Sequence, residues 1–244
     1  MVDVTVIIVG LVIVFIASIV QGATGFGFAL TSMPLLAIFI PLDVVVPIMV
    51  IFSLITNVLI LVKLWSYVRI KKIWLLIVAS SVSAPFGTYL LLIIEERVLK
   101  ITVGLLIILF ALVLWKGYSF TIKREKLALI PVGFLGGLLN GSLSLSGPPV
   151  VLFLTNQKED KTIFRANITT YALILNVMTI IFFIMGGLII KQVFSYMFWY
   201  FPALIIATFI GVKIGNKVEQ ALFKKITLLL IIISGFSAIV SAIF

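Results

Sequence analysis

Two short stretches hold most of the polar chemistry of an otherwise apolar chain. Gln21-Gly22-Ala23-Thr24-Gly25-Phe26-Gly27-Phe28 interrupts the apolar run from Val4 to Ile40. Asn140-Gly141-Ser142-Leu143-Ser144-Leu145-Ser146-Gly147-Pro148-Pro149 interrupts a second run. In hydrocarbon, unsatisfied backbone groups are so costly that a broken helix must face protein or a wet cavity. A helix that starts in mid-membrane aims unpaired N–H groups and the positive end of its dipole at whatever lies ahead of it. Anions bind such ends without needing a cationic side chain.

Each residue type in the two stretches suits that chemistry. Thr24, Gly25, Phe26 and Gly27, with Ser142, Ser144, Ser146 and Gly147, offer backbone donors and hydroxyls. Glycines, Gly22 and Gly141 among them, let an oxyanion come close to the backbone. Gln21, Asn57, Asn140 and Asn176 add neutral amide donors at a similar depth. Pro148-Pro149 fits a helix restart, where the missing N–H has no partner to lose. The competing reading is packing, since small residues let membrane helices approach and Ser, Thr and Asn bridge them. It is preferred for Gly10, Gly104, Gly133 and Gly136, which lie in smooth helix. Asn57 and Asn176 fit an interhelical hydrogen bond as well as they fit a site. Arg165 opens the apolar segment 162–185 and is either a bidentate contact for an oxyanion or an ordinary anchor.

Other chemistry is excluded by composition. The 244 residues include no Cys and no His, so disulfides, thiolates, imidazole metal sites and imidazole bases are absent. No catalytic residue, metal ligand or cofactor is expected. Ser142, Ser144 and Ser146 have no base near in sequence, which argues against a membrane hydrolase. Every carboxylate (Asp3, Asp43, Glu95, Glu96, Glu125, Glu159, Asp160 and Glu219) falls at a segment end or in a loop. Cation pathways and proton relays usually need such groups inside the membrane, so an anionic or neutral substrate is favoured. Thr24-Gly25-Phe26-Gly27 faintly resembles a potassium-channel filter. It is one residue short, and the second stretch does not repeat it.

The elements that must carry these residues are membrane helices. The chain is 63% hydrophobic and 11% charged, with mean hydropathy +1.38. Apolar segments at 4–22, 26–40, 43–64, 73–93, 100–116, 127–140, 147–156, 162–185, 194–212 and 226–244 follow one another with short connections. The net charge of +10 sits in those connections and reads as membrane topology, not as nucleic-acid binding. Trp65, Trp74, Trp115, Trp199, Tyr196 and Tyr200 lie near segment ends, as an interfacial belt would. Lys63, Lys116 and Lys213 suit helix ends from which they can snorkel. The start of the chain lacks a basic region, so the first segment is expected to stay as a helix.

The two halves match. Leu54-Ile55-Thr56-Asn57-Val58 aligns with Leu173-Ile174-Leu175-Asn176-Val177 at an offset of 119, which also aligns Gln21-Gly22 with Asn140-Gly141. At an offset of 124, Gly87, Glu95 and Lys100 align with Gly211, Glu219 and Lys224. Fixed-offset self-similarity signals a duplication, here residues 1–117 and 118–244. If each broken stretch is a hairpin tip, one membrane face carries 15 of the 18 Lys and Arg. If each broken segment crosses once, the split is even. The positive-inside rule selects hairpins. Length agrees, since 4–40 as one helix would run ~55 Å against a hydrocarbon core of ~30 Å.

The expected fold is therefore an all-α polytopic membrane protein with about eight to ten membrane segments. It forms two inverted repeats, each a broken-helix hairpin plus three transmembrane helices. Both termini are expected outside a prokaryotic cytoplasmic membrane. The expected partners are a small anion and the bilayer. A second copy of the chain, in a homodimer, is the protein partner this reading leaves open.

The gathered residues resemble the sulfite exporter TauE/SafE (TSUP) family of membrane permeases. The likeness rests on Q-G-A-T-G-F-G-F-A-L-T-S-M-P at 21–34, N-G-S-L-S-L-S-G-P-P at 140–149, F-R-A-N at 164–167 and the paired Gly, Glu and Lys positions of 87–100 and 211–224. It implies transport of sulfite, sulfonates or related organic and sulfur-containing anions, often outward. Many members have adjacent glycines in both blocks, where this chain has Phe26, Phe28, Ser144 and Ser146. That departure bears on the substrate more than on the fold.

Overall fold

The structure is a computed structural model that describes residues 4–115, 125–157 and 159–217, together with Glu219 and isolated positions between 222 and 240. Lys116, most of the 117–126 connection and most of the segment expected at 226–244 fall outside the described residues. Among those described, all regular structure is helical. The chain is a polytopic all-α membrane protein.

The first half contributes α1 (Val4–Thr24), α2 (Phe28–Leu36), α3 (Leu42–Leu64), α4 (Ile70–Ile93) and α5 (Glu96–Trp115). The second contributes α6 (Glu125–Leu143), α7 (Gly147–Asn156), α8 (Lys161–Met185) and α9 (Lys191–Gly215). Among the described residues, five helices are long and apolar enough to cross a bilayer: α1, α3 with the 3-10 turn Trp65–Tyr67 that extends it, α4, α8 and α9. In lipid, only a helix satisfies its backbone within one segment, and this tolerates the internal prolines Pro47, Pro85 and Pro202. Asp160 caps α8 by accepting from the Thr162 backbone N–H at 2.7 Å. That bond holds the Asp160 carboxyl below the usual carboxylate range.

Two helix pairs form the main seams: α1 packs on α9, and α4 packs on α6. Gly10 lies against Tyr200, Gly22 against Thr208 and Gly211, and Gly215 against Ala23. The register rises together, so α1 and α9 run parallel. Gly133 lies against Leu76, Gly137 against Ser80, and Gly141 against Ala84 and Gly87, so α4 and α6 also run parallel. Each seam brings glycine against glycine, Gly22 beside Gly211 and Gly141 beside Gly87. A Cβ at any of the four would strike a backbone atom of the partner helix. Between the seams, α3 packs on α8, and α3 is the most buried of the five long spans.

The short helices fold back. α2 packs on α1 and α3. Phe28 meets Phe52 and Ser32 meets Met49, which makes α2 antiparallel to α3. α7 packs likewise on α6 and α8.

Three connections meet at one end of the molecule. Lys72 pairs with Glu159 at 2.6 Å, Lys161 Nζ donates to the Gly215 carbonyl at 3.1 Å, and Arg165 Nη1 donates to Asn216 Oδ1 at 3.0 Å. Lys100 is buried elsewhere, where its Nζ donates to the Ala37 carbonyl beyond α2 and pairs with Glu96.

Two expectations need correction. The breaks are narrower than the sequence implies, because α1 runs through Gln21 and Gly22 to Thr24, and α6 through Asn140 and Gly141 to Leu143. The glycines there serve the seams. Tyr196 and Tyr200 are buried and not interfacial. Tyr200 donates to the Val6 carbonyl at 3.0 Å, across the α1–α9 seam. Trp65, Trp74 and Trp199 are exposed, as a belt requires, and the Trp115 side chain lies outside the described residues.

Candidate functional site

The two breaks reduce to Gly25-Phe26-Gly27 and Ser144-Leu145-Ser146, and both border one cavity of about 30 Å³. On the first side it is lined by Gln21, Phe26, Gly27 and the first turn of α2 (Phe28, Ala29 and Leu30). On the second side it is lined by Ser144, Leu145, Ser146 and Gly147. Ser53 of α3 and Ile168 and Ala172 of α8 close it. The volume is room for a water or two.

Local geometry makes each break. Gly25 and Gly27 sit at φ of 84° and 96°, and Ser144 at 59°, a region that L-residues rarely occupy. Thr24 Oγ1 shares its one proton between the Phe26 carbonyl at 2.6 Å and the Val20 carbonyl at 2.8 Å, so it closes the turn and does not reach into the cavity. Neither short helix is capped by a side chain: Gly27 precedes α2 and Ser146 precedes α7 without such a bond. The first N–H groups of a helix lack intrahelical partners, and those of α2 belong to cavity-lining residues. In α7, Pro148 and Pro149 leave Gly147 as the one N–H before Val150.

The four amides form two matched pairs. Gln21 Nε2 donates to Asn57 Oδ1 at 2.7 Å and to Ser53 Oγ at 3.2 Å. Asn140 Nδ2 donates to Asn176 Oδ1 at 3.2 Å and to Thr179 Oγ1 at 2.9 Å. The pairs stand at the same 119-residue offset as the sequence match. Gln21, Asn57, Asn140 and Asn176 are all at most 1% exposed. The interhelical bond expected as one reading of Asn57 and Asn176 is therefore present. Yet Asn57 Nδ2, Asn176 Nδ2, Gln21 Oε1 and Ser144 Oγ have no partner among the described residues. Unsatisfied buried polar atoms are uncommon enough to need a reason, and two of these residues, Gln21 and Ser144, line the cavity.

Other expected site residues lie beside the cavity and not on its wall. Gly22 and Gly141 are in the seams. Gly25 packs on α8, where Thr169 Oγ1 donates to its carbonyl at 3.2 Å. Ser142 bonds back to the Leu138 carbonyl at 2.8 Å. Arg165 is 1% exposed, and its Nη2 donates to the Gly22 carbonyl at 2.9 Å in the last turn of α1. A cation there complements the negative end of the α1 dipole. Arg165 is thus a buried clasp on the first hairpin, with Nε the one guanidinium nitrogen lacking a partner among the described residues.

Sequence reading missed Ser53, Thr169, Thr179 and Asn216. The first three carried a signal. Ser53 lies four residues before Asn57, Thr169 four after Arg165 and Thr179 three after Asn176, each on the same helix face as its neighbour.

Among the described residues no three metal-binding side chains cluster. A family model described as sulfite exporter TauE/SafE matches residues 10–238. No curated protein and no solved structure matches the chain.

Proposed function

Because the chain belongs to the sulfite exporter TauE/SafE family, we propose that it is a secondary transporter of a small oxyanion. The substrate is sulfite, a sulfonate or a related organic or sulfur-containing anion. The observation that carries this reading is the convergence of two uncapped helix N-termini on one cavity. Gln21, Phe26, Gly27, Ser144, Ser146 and Gly147 form its wall, and the paired amides Asn57, Asn140 and Asn176 stand behind it.

In this reading the halves 1–117 and 118–244 are inverted repeats. The equivalent seams α1–α9 and α6–α4 support the duplication, as do the two amide pairs at one offset. The end that gathers Lys72, Lys161, Arg165 and Asn216 is cytosolic, and both termini are extracytoplasmic. Transport proceeds by alternating access: one group of helices rocks against the other and opens the cavity to each face in turn. The cavity has room for a water or two, so rocking must widen it to admit an anion.

Proteoliposome uptake of sulfite, thiosulfate, sulfonates and small carboxylates tests the reading. Saturable flux with counterflow is expected. Gln21→Ala and Ser146→Leu should abolish uptake while membrane insertion stays normal. Wild-type flux in both would remove the site assignment. Single-channel current in a planar bilayer would instead point to a pore.

A further inference from the structure

The charge of the ligand can be read from what faces the cavity. None of the described residues lining it is ionisable in the physiological range. Its positive potential comes from the N-terminal ends of α2 and α7, each equivalent to at most roughly half an elementary charge, with α7 the weaker because Pro148 and Pro149 leave it one N–H before Val150. Together they amount to no more than about one charge. The remaining polar groups are neutral. Ser144 Oγ is buried, on the wall and without a partner among the described residues. Gln21 Nε2 is held by Asn57 and by the hydroxyl and carbonyl of Ser53, and its Oε1 has no partner among the described residues. Arg165, the one buried arginine among the described residues, directs Nη1 to Asn216 and Nη2 to Gly22, and it does not line the cavity. The rest of the wall is apolar, with Phe26, Phe28, Leu145 and Ile168.

We infer that this cavity selects singly charged oxyanions, such as a sulfonate or hydrogensulfite, over doubly charged anions of the same shape. The inference rests on the anion-transport reading above. One negative charge is matched by the two helix ends and the neutral donors. A second would be buried without a partner, and an unpaired buried charge is strongly disfavoured. An apolar substituent on the anion has Phe26, Phe28, Leu145 and Ile168 to lie against, where a second ionised oxygen has nothing.

The test compares isosteric probes on the purified full chain in lipid nanodiscs at matched ionic strength. Binding of methanesulfonate, perchlorate and sulfate is measured by calorimetry. Both monoanions should bind at least about tenfold tighter than sulfate. Perchlorate separates charge from the methyl group. Sulfate binding as tightly as perchlorate overturns the inference while leaving the anion reading intact. If none of the three binds and sulfite does not either, the anion reading itself fails. A second measurement uses Ala172→Lys, which adds a cation to the wall. The ratio of sulfate to perchlorate affinity should rise in a folded variant, and an unchanged ratio shows that the discrimination is made elsewhere. Should that variant not fold, the wild-type ranking still decides.

Discussion

Ser144 shows how stability and function separate at single residues. It occupies a left-handed backbone conformation and keeps a buried hydroxyl without a partner among the described residues, and both features cost stability. Ser144→Gly should therefore raise stability by about 1 kcal/mol, read as a higher Tm in detergent, while anion uptake falls. Lower stability with unchanged uptake would make Ser144 an ordinary turn residue. The amides were legible because Gln and Asn are conspicuous in an apolar chain. That they bond in pairs was not, because a hydrogen bond between helices depends on their rotation about their own axes. Ser53 and Thr169 escaped notice for another reason. Serines and threonines inside helices commonly bond back to their own backbone, as Ser18 and Ser142 do here, so type alone does not mark the exceptions.

At the scale of elements, hydropathy and length located the helices, and the boundaries moved where tertiary contact decided them. Gly22 and Gly141 read as helix breakers in isolation, yet both lie inside helices because a neighbouring backbone occupies the space of a Cβ. Tyr196 and Tyr200 looked interfacial by position, but the α1–α9 seam buries them. Gly141→Leu should prevent the seam from closing, with loss of folded protein on size exclusion. Gly187→Ala makes the contrast. It lies at φ 69° between α8 and α9 with nothing within 4 Å of the added Cβ, so its cost is confined to backbone strain of about 1–2 kcal/mol, a modest fall in Tm with transport kept. Equal damage from the two would mean that close helix approach is not what the seam glycines provide.

At the scale of the whole molecule, the sidedness proposed from charge has a direct measurement. The chain has no cysteine, so each introduced one is the sole thiol. In intact cells, a membrane-impermeant maleimide should label Arg97→Cys and Lys191→Cys. It should reach Lys71→Cys and Lys217→Cys after permeabilisation alone. All four wild-type residues are exposed, so failure to label reports sidedness and not burial. The reverse pattern would invert the topology, and labelling of all four from outside would end the hairpin parity. The parity is an expectation from loop charge, which records insertion. The two hairpins were expected to enclose one site, but which residues line the cavity was not readable, because that depends on how the two halves dock.

That docking sets a timetable for assembly. The α1 seam is completed by α9, and Gly22 and Gly211 are 189 positions apart in the chain. At a synthesis rate of about 5–20 residues per second, α1 leaves the ribosome roughly 10–40 s before its partner exists. Through that interval a helix surface shaped for another backbone has only lipid or the insertion machinery to rest on. Of the helices described, α1 is made first yet is among the last to be settled, and a nascent chain cut short before α9 would present quality-control proteases with an orphaned helix.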